Sequence, residues 1–124
     1  MEFSCSVSLG EVLDKISILR IKLDRIKDAA KLTHVRHELD RLVAQLGDAK
    51  TYEPYIAELT VHNTVIWDVE DVLRLKEKNQ VFDAEFIQMA RKAYLTNDKR
   101  FGVKDAANKK FNSAIREQKS YEQY

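Results

Sequence analysis

Residues 8–23 read Ser8-Leu9-Gly10-Glu11-Val12-Leu13-Asp14-Lys15-Ile16-Ser17-Ile18-Leu19-Arg20-Ile21-Lys22-Leu23, and this stretch decides the fold class. A serine three residues ahead of Glu11 has the spacing of a capping box, and Val7 and Val12 stand where a hydrophobic staple belongs. Leu9, Val12, Ile16, Leu19, Leu23, Ile26 and Ala30 then step by three and four, drawing one apolar seam along a helix. Leu13, Ile18 and Ile21 lie off that seam. The helix therefore carries a second apolar face, to be covered by more than one neighbour or by a partner chain.

Upstream, Phe3, Cys5 and Val7 alternate with Glu2, Ser4 and Ser6, which predicts a short N-terminal β-strand or arm over residues 1–7. A lone strand must find a mate for its backbone, either the stretch near Tyr121 or the same strand in a second copy. Downstream, Val35, Leu39, Leu42 and Leu46 predict a helix over 32–46, ended by Gly47-Asp48. Pro54 lets a third helix begin near Thr51 to Pro54, with Tyr55, Leu59, Ile66, Val69 and Leu73 on its seam. Asn79-Gln80 interrupts the pattern, and Asp83 caps a fourth helix whose inner face is Phe86, Ala90, Ala93 and Tyr94. Thr96-Asn97-Asp98 predicts a bend or a fresh helix start. Phe101, Phe111 and Ile115 anchor a last helix that fades into a polar tail over 117–124. The expectation is one all-α domain over residues 1–124, an antiparallel bundle of four or five helices with a short N-terminal β-strand.

Composition agrees with this reading. The chain has 124 residues, with only 3 Gly and 1 Pro. All-β and doubly wound α/β folds need many more residues suited to tight turns. Lys and Arg total 21 against 20 Asp and Glu, a net charge of +1, which argues against a dedicated nucleic-acid binder. The single cysteine, Cys5, allows no intrachain disulfide and suits a reducing compartment. Neither a secretion signal nor an apolar run of membrane-spanning length is visible, so a cytoplasmic location is expected.

Chemistry-bearing motifs are sparse. His34 and His37 have a spacing that can place two imidazoles on one metal, but no further ligand follows at a usual distance. They read as solvated helix-surface residues, and no metal site is expected. There is no Walker-type loop and no glycine-rich dinucleotide turn, so no cofactor is expected either. Glu70-Asp71 is followed by Arg74 where the magnesium-dependent all-α pyrophosphohydrolases need another acid. Cys5 reads as a packed residue of the strand rather than a nucleophile.

The less ordinary feature is polar residues on lines that should be buried. Phe101, Lys104, Asn108, Phe111 and Ile115 follow one seam, which points Lys104 and Asn108 inward. Asn63, Trp67, Glu70 and Arg74 form a line beside the seam of the third helix, and Glu11, Lys15, Ile18, Lys22 and Arg25 form another on the first. Buried charges need partners. Glu70 or Asp71 paired with Lys104, Arg91 or Lys15 is the ordinary expectation, and a polar inter-helix pocket for an anionic ligand is the alternative.

Three stretches, taken in order, carry a resemblance: residues 8–22, Asn63-Thr64-Val65-Ile66-Trp67-Asp68-Val69-Glu70-Asp71, and Ala90-Arg91-Lys92-Ala93-Tyr94-Leu95-Thr96-Asn97-Asp98-Lys99-Arg100 with Lys104, Asn108 and Lys119-Ser120-Tyr121. Together they resemble a family of small helical bacterial and phage proteins, a domain of unknown function, over nearly the whole chain. The resemblance implies a stand-alone helical protein with a polar signature. That signature comprises Glu11, Asp14, Lys15, Lys22, Trp67, Glu70, Asp71, Arg91, Tyr94, Asn97, Asp98, Arg100 and Lys104. The sequence departs from the pattern at Ala106-Ala107-Asn108, where a larger aliphatic is expected before the asparagine.

The function expected is a non-enzymatic, self-associating helical interaction module. Its homodimer would use the spare face of the first helix or paired N-terminal strands. The alternative is a small-molecule enzyme or sensor that binds a nucleotide, nucleotide sugar or carboxylate at the polar cluster. A further possibility is another protein docking on the basic C-terminal segment. Nucleic acid and membrane are not expected partners.

Overall fold

The computed structural model describes residues 1–124 as four helices: α1 (Leu9–Arg25), α2 (Ala29–Leu46), α3 (Ala49–Lys78) and α4 (Ala84–Lys110). Each begins on a short polar side chain that accepts one of the free N–H groups of the first turn. Ser8 Oγ accepts from Glu11 N at 3.2 Å, and Asp28 Oδ1 from Lys31 N at 3.0 Å. Asp48 Oδ1 accepts from Lys50 N at 3.1 Å, and Asp83 Oδ1 from Phe86 N at 3.0 Å. Only half of the expected capping box forms at Ser8, because the Glu11 carboxylate is taken by Lys104 instead.

The bundle has four helices. Thr96-Asn97-Asp98 makes no bend, and α4 runs straight through it. Thr96 is buried and Asn97 accepts from Arg100, so neither side chain competes for the helix backbone. Two other helices start earlier than their seams suggest. Asp28 caps α2 so that it begins at Ala29, three residues ahead of Leu32, and Asp48 caps α3 so that Pro54 falls inside the helix. Gly47 closes α2 with φ of 77°, the left-handed geometry that favours glycine.

The N-terminal β-strand is absent. Phe3, Cys5 and Val7 are all exposed, so Cys5 is not packed. The expected mate within the chain is out of reach: the Tyr121 region lies along α4, whereas residues 1–7 lie over α2, tied by a two-pronged pair from Arg41 to Glu2 at 2.9 and 3.1 Å. A strand without a partner leaves its backbone to water.

Helix α1 is the hub, packing against α2, α3 and α4. Its second apolar face is therefore covered by the chain's own helices. The core is Leu13 and Ile16 of α1, Ile56 and Leu59 of α3, and Val103 and Ala107 of α4. Leu39, Leu42, Val43 and Leu46 of α2 pack around it, while Tyr52 and Tyr55 meet the Phe111 ring edge-on at 4.8 and 5.7 Å. The α3–α4 hairpin is longer than the rest of the bundle. Past Val69 on α3, and before Thr96 on α4, no residue is fully buried, so residues 70–95 form a two-helix arm.

Gly102 lies mid-helix with open space where a Cβ would stand. Glycine in a helix interior costs roughly 0.5–1 kcal/mol relative to alanine. Gly102→Ala is expected to raise the urea-unfolding free energy by about that amount, and a loss would contradict an unobstructed helix here.

Candidate functional site

The close crossing of α1 and α4 builds the most polar interior in the molecule. Gly10 makes the crossing possible: a Cβ there would lie 2.7 Å from the Lys104 carbonyl oxygen and 2.9 Å from its Cβ. Asn108 Oδ1 accepts from Gly10 N at 2.7 Å, and Ser113 Oγ accepts from Leu9 N at 3.1 Å. The start of α1 is thus stitched to the end of α4 by side chains that satisfy its free N–H groups.

One turn further along α1 sits Asp14, only 4 % exposed. Asn63 Nδ2 donates to Asp14 Oδ1 at 2.7 Å and to Ser17 Oγ at 2.8 Å, and Ser17 Oγ donates to the Asp14 carbonyl at 2.7 Å. Arg100 donates to Asn63 Oδ1 at 3.2 Å and to Asn97 Oδ1 at 2.7 Å, with Asp14 Oδ2 at 3.9 Å. Lys104, 5 % exposed, sits 2.8 Å from Glu11 Oε2, 2.9 Å from Glu117 Oε1 and 3.9 Å from Asp14 Oδ2. A buried ammonium is tolerated only with such partners. Burial pushes Lys104 down, but Glu11, Glu117 and Asp14 together outweigh it and hold its pKa above the usual 10.5. Burial likewise pushes Glu117 up, and Lys104 and Lys119 outweigh it, leaving its pKa below the usual 4.5.

The cluster is filled. The space among Asn97, Arg100, Phe101, Lys104, Glu117 and Lys119 amounts to about 10 Å³. A larger hollow, about 410 Å³, lies elsewhere, where Phe3, Cys5 and Val7 of the N-terminal arm overhang Val12, His37 and Leu42. No group of three or more His, Cys, Asp or Glu side chains is arranged to hold a metal ion, and no helix is long and apolar enough to cross a membrane.

A family model described as a family of unknown function, DUF6165, matches residues 3–124. The chain belongs to that family. No curated protein and no solved structure matches it.

Of the polar signature, the fold brings together Glu11, Asp14, Asn97, Arg100 and Lys104 and scatters the rest. Lys104 and Asn108 do point inward, as their seam requires. The expected partners of Lys104 are wrong, however: Glu70 pairs with Arg74 at 3.3 Å, and Asp71 is exposed without an ion pair. Lys15, one turn past Glu11 on α1, turns toward α2 instead and pairs with Glu38 at 2.9 Å. Arg91 is exposed and donates to Gln88 at 3.3 Å, while Lys22 and Trp67 are half-buried and join no part of the network. Tyr94 and Asp98 lie on the outer side of α4, where the Tyr124 hydroxyl reaches Asp98 and its ring meets Tyr94. Ser17, Asn63 and Glu117 complete the cluster. Asn63 heads the polar line beside the α3 seam, and a signal for Ser17 was present, since Gly10, Asp14, Ser17 and Ile21 also step by four and three, and all four are buried.

Proposed function

We propose that this chain is a non-enzymatic, self-associating helical interaction module, and that its contact surface is the two-helix arm of residues 70–95. The observation that carries the reading is the arm's unfinished packing. Two helices alone cannot enclose a core, and Leu75, Val81, Phe82, Ile87 and Tyr94 stay exposed on it, Leu75 at 60 % and Ile87 at 56 %. Two such hairpins together make a four-helix bundle, the usual helical solution to this problem. Charge favours a second copy as the occupant. Asp71 and Glu77 on α3, and Arg91 and Lys92 on α4, make no ion pair within the chain, so α3 of one copy facing α4 of another supplies opposite charges. The arm makes this contact in place of the α1 face, which the chain's own helices cover. The chain is a cytoplasmic protein of bacterial or phage origin, with its exposed cysteine reduced.

The rival is an enzyme or sensor for a nucleotide, nucleotide sugar or carboxylate at the polar cluster, and a nucleotide-sized ligand needs a cavity of roughly 300 Å³ or more among the polar residues. The space among Arg100, Lys104 and Glu117 is about 10 Å³, and the hollows of about 430 and 380 Å³ beside Asp98 hold one cation between them, Lys119, which favours the binding-module reading over a phosphate-bearing ligand. Light scattering at micromolar concentration is expected to give twice the 14.4 kDa chain mass. Leu75→Glu with Ile87→Glu is expected to return the single-chain mass without loss of helical circular dichroism. A wild-type protein that stays at the single-chain mass at every concentration sinks the proposal.

A further inference from the structure

After α4 the chain reverses at Asn112, whose φ is 52°, and Ser113 N bonds the Asn108 carbonyl at 2.8 Å. From residue 114 to residue 124 no backbone–backbone hydrogen bond is made. This strap is held to α4 by side chains alone. Lys119 stands 5.9 Å over the Phe101 ring, Tyr124 reaches Asp98 and Tyr94, and Glu117 enters the polar cluster.

Glu117 bridges two lysines there. Its Oε1 is buried 2.9 Å from Lys104 Nζ and its Oε2 lies 3.2 Å from Lys119 Nζ, while the side chain as a whole is 30 % exposed. Charge decides what its departure leaves behind. Lys104, Arg100 and Lys119 face Glu11, Asp14 and Glu117, so the cluster is neutral only while the Glu117 carboxylate is inside. With that side chain turned out and Lys119 still on Phe101, one positive charge is left over. Arg100 also has unused donors, since only two of its N–H groups are engaged.

We propose that Asn97, Arg100, Lys104 and Lys119 form a binding site for the carboxylate group of a small organic acid, and that Glu117 is its built-in stand-in. The excess of one charge matches a monoanionic carboxylate rather than a phosphate dianion. Ligand and Glu117 compete for the Lys104 ammonium, so the intrinsic affinity is masked by the fraction of molecules with Glu117 inside. The site is independent of whether the chain self-associates.

The test is a titration of the full chain with acetate, followed by amide spectra at constant ionic strength set by chloride. In the wild type, saturable shifts are expected at Asn97, Arg100, Lys104 and Glu117. In Glu117→Ala they are expected at the first three, with affinity about tenfold tighter or more. Adding Lys104→Gln to Glu117→Ala should abolish them. Wild-type shifts that are absent or fall elsewhere overturn the proposal even if Glu117→Ala binds, because the cavity then belongs only to the variant. Phosphate saturating the site where acetate does not overturns the carboxylate assignment. Should Glu117→Ala fail to fold, the wild-type titration decides alone.

Discussion

Lys104→Met lowers the unfolding free energy by about 3 kcal/mol, read as the shift of a urea titration at neutral pH. Removing one member of a buried ion cluster costs about 3–5 kcal/mol, because the charges left behind stay out of water without a partner. The lower end applies here, since Glu11 and Glu117 are 41 % and 30 % exposed on their side chains and can turn toward solvent. Asp14 cannot; it keeps only the Asn63 hydrogen bond and a distant Arg100. A loss below about 1 kcal/mol would place Lys104 among ordinary surface pairs and contradict its burial.

The same substitution changes the pH profile in a defined direction. The contribution of Lys104 is complete below 10.5 and fades as pH rises through its raised folded value. The contribution of Glu117 is present above 4.5 and fades as pH falls through its lowered folded value. Wild-type stability from this cluster therefore spans the whole interval between the two. In Lys104→Met the carboxylates have lost their main cation, so the stability gap to the wild type is expected to narrow as pH falls through the range where Glu117 takes up its proton.

Gly10→Ala is the second large effect, with an expected net loss of about 2 kcal/mol. The new methyl meets the backbone oxygen and Cα of Lys104 at 2.7 and 3.0 Å, and a helix backbone cannot step aside as a side-chain tip can. Overpacking of this kind costs about 1–3 kcal/mol, occasionally more, and alanine's better helix preference returns only about 1 kcal/mol. Displacing α4 also stretches the Asn108 bond to Gly10 N and the Lys104 pairs. Gly102→Ala, with the same chemical change in open space, is the matched control. Equal responses at the two positions would mean that the α1–α4 crossing is looser than described.

The contrast between those glycines shows what the amino-acid order makes legible. Residue spacing placed Lys104 and Asn108 inside, because one seam of a helix faces one neighbour. It also revealed two apolar faces on α1, though not that three helices of the same chain cover them. Partner choice was out of reach: twenty acids compete for each cation, and only the fold brings Glu11 and Asp14 to Lys104 rather than Glu70. Alternation over residues 1–7 suggested a strand, but alternation describes a face and says nothing about a mate. Glu117 lies beyond the last helix, where no period exists to read.

The stitching of Gly10 to Asn108 and of Leu9 to Ser113 has a consequence for the order of folding. The first helix to leave the ribosome meets α2 early, but the groups that finish its N-terminus are synthesised about a hundred residues later. Contacts of such long sequence separation form slowly, since a long loop must close first. Until α4 is made, α2 and α3 cover Leu13, Ile16 and Asp14 on their own sides, and the side facing α4 stays open. A nascent chain halted before residue 100 therefore lacks Val103 and Ala107 over Leu13 and Ile16, and the Arg100 and Lys104 cations beside Asp14.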